Sequence, residues 1–528
     1  MSKYLTSSAM ERLKNIVSSP ANKLKNLNFR GGNSSSKTEF IKFDDFRRDD
    51  QKESDDQQQQ HWYNFDELNL KSGVVGEDDD DDRIFLSDSS ISAAQAALNV
   101  TNAIQGMCLV SLPYTILQGG YIALLSMVVI PCICYYTGDI LIECLYEEVE
   151  QHQYYHYHQP QQSQLQQKHH TVKIRKRIRN TYADIAGAVW GHNVGRWIVY
   201  TAQMIELIMT CILYVLLCGE LLQSMLPQLG ISLTKWIIIA TAPLLMCAFL
   251  KSMKHVAWLS FWNFLSHVII NGIVLIYCLT QVQHWKFDVV QLEVDINTLP
   301  MSLGIVMFSY TSQMFLPSLE GSMKDRKKFR PMMAWSHFVA AVFKSLFAYF
   351  GFVTFGDETQ EVITNNISSY ALKITINILL VIKALSSYPL PYYAAVELLQ
   401  NALFVGQPIT LLPSCYYSDG LINGLRCWAW LLRAVFVCLI SWLAISIPHY
   451  AILIALIGSF TANMLSFVWP AYFHLVIKNQ LLPWYRKVFD VIIIILGCVF
   501  IVLGVYYNSR ALYFAYQGIE TKPFQTIV

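Results

Sequence analysis

Eleven apolar stretches of roughly 18 to 25 residues follow one another from residue 92 onward, and they constrain this chain more than any other feature. A bilayer requires about 20 consecutive apolar residues for each α-helix that crosses it. The sequence therefore predicts an all-α polytopic membrane protein with eleven transmembrane helices. The predicted spans are 92–118, 121–146, 197–226, 232–250, 256–280, 300–321, 332–356, 371–400, 426–446, 450–475 and 488–508.

Composition supports this class of protein. Hydrophobic residues make up 54% of the chain and charged residues 15%, whereas soluble chains carry roughly 25% charged residues. The net charge of +1 gives no indication of nucleic-acid binding. The 12 cysteines fall almost wholly inside apolar runs without CxxC or Cys/His spacing, so neither a zinc site nor a disulfide framework is indicated. We predict no metal site and no cofactor.

Polar segments flank or interrupt the predicted transporter domain of residues 92–510. Residues 1–91 contain ESDDQQQQ and GEDDDDDR, and such tracts predict a disordered acidic tail. The first residues lack the apolar core of a cleavable signal peptide. The Gln/His-rich insert 151–172 is predicted to be a disordered loop, with metal binding or pH sensing by its histidines as the alternative. Residues 511–528 are predicted to form a short lumenal tail.

Basic residues predict the orientation in the membrane. Clusters of Lys and Arg follow the second, fourth, sixth and tenth spans, for example in 173–179 and 324–330, whereas the opposite loops hold scattered cations. Cytoplasmic loops carry this excess, so we expect a cytosolic N-terminus and, with eleven spans, a lumenal C-terminus. Asn366 begins a glycosylation sequon on the lumenal side and is a candidate acceptor.

Two of the predicted spans are interrupted by polar residues and helix breakers. In the first, Gly106 and Pro113 bracket MCLVSL; in the sixth, the polar run 309–313 is followed by Pro317. Freed backbone groups at a mid-membrane break can bind a small molecule. Four spans separate the two interruptions, as expected for the first helices of two inverted five-helix repeats. The sequence therefore predicts a secondary transporter with broken helices 1 and 6.

The breaks predict an amino-acid site, because helix N-termini suit a carboxylate and helix C-terminal carbonyls suit an ammonium group. A polar bend in the eighth span could contact the ligand or be a structural kink. The residues predicted to line the substrate site are Asn102, Gly106, Met107, Cys108, Ser309, Tyr310, Thr311, Ser312, Phe315, Ser387 and Tyr388.

Ionisable residues inside the spans are candidates for proton coupling, since such residues are costly in a membrane and usually functional. These candidates are Glu206, Glu320, Lys344 and Lys383. A Lys–Glu bridge to either glutamate would neutralise both partners, and a structural role for the lysines stays open. His267 is a further candidate for proton transfer, with a structural hydrogen bond as the alternative.

Long strings of this sequence resemble the amino acid/auxin permease family, and within it the carriers that load inhibitory amino acids into vesicles. The strings are NVTNAIQGM, LPYTILQGGY, YTGDILIECLYEE, NTYADIA, AQMIELIMTCILYV, CAFLKSMKHV, GIVMFSYTSQMFLPSLEGSM and KALSSYPLPYYAAVELL. The resemblance covers roughly residues 92 to 510. The Gln/His-rich insert departs from the family's usual loop.

The resemblance implies a LeuT-like fold and uptake of GABA and glycine from the cytosol into synaptic vesicles, driven by the vesicular proton gradient. Protons are the implied coupling ion, and proton antiport and an additional involvement of chloride both stay open. Membrane lipids are expected partners, and the N-terminal tail is a candidate site for cytosolic sorting adaptors. Two alternatives keep the same fold: a plasma-membrane permease coupled to protons or sodium, and a non-transporting amino-acid sensor. An enzyme is disfavoured, because the sequence has no nucleotide loop, metal cluster or nucleophile elbow.

Overall fold

The computed structural model describes residues 91–104, 106–154, 169–247, 253–285, 287, 295–403 and 423–517. The predicted acidic tail up to residue 90, the centre of the Gln/His-rich insert and the last eleven residues of the predicted lumenal tail lie outside these ranges.

Helices make up most of the described chain. The first seven are α1 Ala93–Ile104, α2 Leu112–Glu143, α3 Tyr182–Trp190, α4 His192–Met225, α5 Leu233–Cys247, α6 Met253–Thr280 and α7 Leu299–Tyr310. The remaining helices are α8 Leu316–Gly321, α9 Phe329–Phe355, α10 Tyr370–Ser387, α11 Pro389–Leu403, α12 Asn423–Ser446, α13 Tyr450–Ile457, α14 Trp469–Ile477 and α15 Trp484–Tyr516.

Within the described residues, 7 helices are long and apolar enough to cross a membrane. Shorter apolar helices of 10 to 17 residues cover Leu233–Met246, Leu299–Tyr310 and Arg433–Ser446. Large apolar side chains on α15 remain exposed, including Val502 and Leu496, as expected for a surface that faces lipid. The chain is therefore a helical membrane protein.

Glycine shapes the first half of the bundle. Gly120, with φ 54°, interrupts the helical conformation inside α2, at the point where the sequence separates the first two predicted spans. A positive φ is accessible to glycine at little steric cost. The neighbouring Gly119 allows a close approach to α7, because a Cβ there would lie 2.6 Å from Ser302 Oγ. The Ser302 hydroxyl donates to the Thr115 carbonyl at 2.9 Å, so α2 and α7 pack tightly.

A second close contact joins α7 to the span that contains α13 and α14. A Cβ at Gly458 would lie 1.9 Å from the Gly304 carbonyl oxygen. Small residues let membrane helices approach each other in this way. Between α13 and α14 the helix contains two π-helical segments, Gly458–Ala462 and Met464–Val468, and such turns are frequent at functional sites.

An antiparallel β-hairpin connects α2 to α3, with strands β1 Tyr146–Tyr154 and β2 His169–Arg177. The prediction of a disordered loop over 151–172 is therefore wrong at both ends of this segment, where β1 and β2 extend into it. At the base of the hairpin the register places opposite charges across from each other, Glu147 opposite Lys176 and Glu148 opposite Arg175, and such positions stabilise a sheet.

The helix α3 that follows the hairpin begins with a capping box formed by Thr181 and Asp184. Asp184 also pairs with Arg196. Burial alone would raise the pKa of Asp184, but the hydrogen bonds from Arg196 and Thr181 outweigh it, and the pKa is lowered. At the other end of the chain, α15 continues to Tyr516, so the predicted tail from residue 511 is helical over its first residues.

Candidate substrate site

Two helices end in the middle of the bundle, close to each other. The helix α1 ends at Ile104, and Gly106 has the non-helical angles φ −45° and ψ −155° before a short 3-10 turn, Met107–Ser111. The helix α7 ends at Tyr310, and Thr311 is extended with ψ 119°. The last carbonyls of a helix lack intrahelical partners, so each break presents open acceptors.

Lys344 of α9 bridges the two breaks. Its ammonium donates to the Ile104 carbonyl at 2.8 Å and to the Ser309 carbonyl. It also lies 4.0 Å from the centroid of the Tyr310 ring, within the range of a cation–π interaction. The side chain is 1% exposed. A single buried cation therefore satisfies carbonyls at the ends of both α1 and α7.

Gln313 holds the segment between α7 and α8. Its amide nitrogen donates to the Cys134 carbonyl and to the Thr137 hydroxyl, both at 3.2 Å. Its amide oxygen accepts from Ser466 at 2.7 Å and from the backbone of Ser312 at 3.0 Å. This side chain consequently ties the break to α2 and to the second π-helical segment.

A cavity of about 70 Å³ lies beside the two breaks. It is far smaller than a drug-sized pocket of roughly 300 Å³ or more, so it suits a small ligand. Its lining consists of Ala103, Ile104, Gly106, Cys108, Glu206, Leu207, Thr210, Leu213, Tyr214, Phe308, Ser309, Thr311, Met314, Phe315 and Tyr450.

Glu206 is the carboxyl group in this lining. It lies on α4 and is 1% exposed. The Thr461 hydroxyl, from the first π-helical segment, donates to its carboxyl group. A buried carboxyl with one donor can accept a further hydrogen bond from a ligand ammonium or exchange a proton.

Six residues that the sequence predicted for the substrate site or for proton coupling line this cavity. Their roles in binding and coupling stay predictions. These residues are Gly106, Cys108, Glu206, Ser309, Thr311 and Phe315. The other predicted substrate residues do not line it: Asn102 is half-buried on α1, Tyr310 donates to the Met127 carbonyl, Ser312 is buried, and Ser387 and Tyr388 are buried on the eighth predicted span. The side chain of Met107 lies outside the described part of the chain.

Sequence reasoning missed the contribution of α4 beyond Glu206. Thr210 and Tyr214 follow it at intervals of four residues, and residues four apart share a helix face. That spacing could have identified them once Glu206 was chosen. Tyr450 begins α13, and we find no sequence signal that would have placed it here.

The second buried lysine, Lys383, has a different partner. Its ammonium lies 2.5 Å from His267 Nδ1, between α10 and α6. One helical turn away, Ser386 donates to the Asn263 side chain at 2.7 Å. A charged lysine ammonium has no acceptor, so the imidazole nitrogen is the acceptor of this hydrogen bond when Lys383 is protonated.

Glu320 lies in a separate cluster at the hairpin. It is 2% exposed, and Arg177 Nη1 lies 3.3 Å from its Oε2. The Tyr146 hydroxyl also donates to it. The expected bridge from a buried lysine to Glu206 or Glu320 is therefore wrong: helix-end carbonyls and an imidazole provide the lysines' contacts among the described residues.

Asn366, the glycosylation candidate, lies in the loop before α10. Its side-chain nitrogen donates to the Glu358 carbonyl at 2.6 Å, and its oxygen accepts from the Gln360 backbone at 2.9 Å. A glycan on this nitrogen would have to replace the first bond, and glycosylation stays a prediction.

Comparison with known proteins identifies the family of this chain. A family model described as "Transmembrane amino acid transporter protein" matches residues 89–509. The "Vesicular GABA transporter" of Caenorhabditis elegans is 44% identical over 431 residues, which are 82% of this chain and 82% of that protein. The "Vesicular inhibitory amino acid transporter" of Homo sapiens is 42% identical over 81% of this chain and 77% of its own length. These relatives confirm the resemblance predicted from the sequence strings.

Among solved structures, a manganese transporter of Eremococcus coleocola is similar with a TM-score of 0.46 at 14% identity, over 85% of this chain and 91% of that chain.

Proposed function

Because the chain belongs to the family of transmembrane amino acid transporter proteins, we propose that it loads GABA and glycine from the cytosol into synaptic vesicles. The vesicular proton gradient drives this uptake in our proposal. The observation that carries it is the small cavity beside the two helix breaks, which contains the buried carboxyl of Glu206.

The proposed architecture has eleven spans in a LeuT-like arrangement of two inverted five-helix repeats. The kink at Gly120 supports counting α2 as parts of two spans. The interruptions after Ile104 and Tyr310 support broken first and sixth spans, which is where such repeats place a substrate site.

We propose that the N-terminus faces the cytosol and the C-terminus the lumen. The basic hairpin and the Arg177–Glu320 cluster then lie on the cytosolic side, as the charge rule requires. On this orientation the cavity lies at mid-depth, with Tyr214 on its lumenal side and Phe315 on its cytosolic side. In our proposal the Arg177–Glu320 cluster closes the bundle on the cytosolic side.

The substrate would bind through its two charges. Lys344 already binds two of the helix-end carbonyls. From the sequence we expect such carbonyls to bind the ammonium group of the substrate. The ammonium of the substrate is therefore assigned to the Glu206 carboxyl, and its carboxylate to the backbone N–H groups that follow Gly106, where the 3-10 turn begins.

Glu206 is also our choice for proton coupling. In the lumen-facing state a proton from the acidic lumen displaces the substrate ammonium from the carboxyl. The substrate leaves, and the proton is released to the cytosol when the carrier returns. Lys344, Lys383 and Glu320 support this cycle by holding the helix breaks, the α6–α10 contact and the cytosolic closure, respectively.

The test uses the full-length protein in proteoliposomes with an imposed inside-acid gradient, and it measures uptake of labelled GABA and glycine. We expect accumulation by the wild type and loss of accumulation in Glu206→Gln. Glu143→Gln is the matched control, because Glu143 lies near Arg330 and Arg486 at the end of α2, outside the cavity lining.

Each outcome has a defined meaning. Substrate binding without flux in the wild type would overturn the transport proposal and favour a sensor. Equal uptake by Glu206→Gln would remove Glu206 from the coupling mechanism. Replacing chloride by gluconate at a fixed proton gradient tests chloride as a co-substrate, and truncation of the N-terminal tail in neurons tests sorting adaptors.

A further inference from the structure

Lys344 is a buried cation whose described partners are backbone carbonyls and an aromatic ring. Its ammonium contacts the Ile104 carbonyl at 2.8 Å and the Ser309 carbonyl, and the Tyr310 ring lies beneath it at 4.0 Å. Buried charges usually have an ionised partner, and the ion pairs among the described residues do not include Lys344. Among the described residues, carbonyl dipoles are therefore the groups that can balance a charge on this ammonium.

Helix ends provide those dipoles. The C-terminus of a helix carries about half a negative elementary charge, concentrated on its last carbonyls. The helices α1 and α7 end at Ile104 and Tyr310, so two such ends converge on one ammonium. In transporters with broken helices, carbonyls of this kind bind diffusible cations such as Na⁺. The ammonium group of Lys344 is thus bound by the same kind of carbonyl oxygen atoms that bind an alkali cation.

Lys383 shows that burial alone does not create this arrangement. It is 3% exposed, yet its ammonium contacts the imidazole of His267 at 2.5 Å. A single neutral nitrogen is a poor site for Na⁺, which is a hard cation that prefers oxygen. The two lysines therefore form a matched pair in which one lies on helix-end oxygens and the other does not.

We propose that Lys344 is a built-in cation that fills a latent alkali-cation site, and that shortening it to alanine allows Na⁺ to bind at the carbonyls of Ile104 and Ser309. The wild type consequently has no need of Na⁺ at this position. The description of the neighbouring cavity as a substrate cavity rests on the proposed function, whereas the cation site itself rests only on the contacts of Lys344.

The experiment measures the thermal unfolding midpoint of the purified full-length protein in detergent, with NaCl replacing choline chloride at constant ionic strength. Wild type, Lys344→Ala, Lys344→Met and Lys383→Ala are compared. A ligand that binds the native state raises stability with the logarithm of its concentration. We expect the Tm to rise with Na⁺ in Lys344→Ala alone, because methionine fills the space without providing charge and Lys383 lies on an imidazole.

A flat Tm in folded Lys344→Ala would overturn the proposal, and so would an equal rise in Lys344→Met or Lys383→Ala. If Lys344→Ala does not fold, the wild type decides, since a Na⁺-dependent Tm of the wild type contradicts a site already filled by lysine. The readout does not depend on transport, so absence of GABA flux would refute the proposed function while leaving this result intact.

Discussion

Arg177→Met is expected to loosen the closure that we propose on the cytosolic side of the bundle. Arg177 lies 3.3 Å from the buried Glu320 carboxylate and donates to the Pro317 carbonyl at 2.8 Å. Breaking a buried ion pair by removing one partner costs about 3–5 kcal/mol. We take about 3 kcal/mol, because the Tyr146 hydroxyl still donates to Glu320. If these contacts exist only in the closed state, its population relative to the open state falls roughly 100-fold, at about 1.4 kcal/mol per factor of ten.

Hydrogen–deuterium exchange of the protein in lipid nanodiscs measures this change. Amides of α8 and of β2 exchange through opening of the closure, so their exchange should accelerate by a factor approaching 100 in Arg177→Met. The amides of α15, which lie outside the cluster, should exchange as in the wild type and report that the bundle remains folded.

Arg179→Met provides the control. Arg179 belongs to the same basic segment, but it pairs with Glu147, whose side chain is 42% exposed, and with the Cys144 carbonyl at 2.9 Å. This variant should loosen the base of the hairpin and leave α8 protected. Unchanged exchange of α8 in Arg177→Met, or equal acceleration in Arg179→Met, would refute the assignment of the closure to Arg177.

Three further predictions concern single contacts. Thr461→Val should reduce gradient-driven uptake, because the cavity carboxyl loses a hydrogen bond of about 1.5–3 kcal/mol, and Thr461→Ser should restore it; equal uptake by all three forms would contradict this. Gly304→Ala should lower the Tm, since its Cβ would meet a backbone oxygen at 2.4 Å, whereas Gly272→Ala meets nothing within 4 Å and should be neutral. Asp184→Asn should cost about 1 kcal/mol at neutral pH. The pKa of Asp184 is lowered in the fold, so its contribution to the free energy of unfolding exists above about pH 4 and disappears as the pH falls through the folded-state pKa. Chemical unfolding of the wild type and Asp184→Asn at several pH values measures this dependence. A difference in stability between them that persists in acid would contradict the prediction.

The helices and their interruptions could be predicted from sequence because both are local properties. An apolar run of bilayer length specifies a helix by itself, as for α4, where 197–226 was predicted and His192–Met225 is observed. Glycine and polar clusters likewise mark breaks without reference to the rest of the chain. The positions of Gly106 and of the polar run 309–313 therefore agree with helix ends in the structure.

Partners of buried groups could not be predicted in the same way. Whether Lys344 meets a carboxylate or a pair of carbonyls depends on how α9 packs against α1 and α7, which no local pattern encodes. The possible bridge between Glu320 and a buried lysine did not take the basic segment after the Gln/His insert into account. Once the opposite charges of 147–148 and 175–176 are aligned as a hairpin, Arg177 comes close to Glu320.

The two π-helical segments before α14 have a consequence for how this span tolerates changes in length. Their hydrogen bonds join residues five apart, so each turn holds more residues than an α-helical turn, and the hydroxyls of Thr461 and Ser466, which are five apart, reach Glu206 and Gln313. In a regular α-helix each residue turns the face by about 100°, and the same two hydroxyls would point in widely different directions. Deleting one residue between them would therefore rotate one part of the span relative to the other, in addition to shortening it. The two hydroxyls could then no longer contact Glu206 in the cavity and Gln313 at the broken helix at the same time.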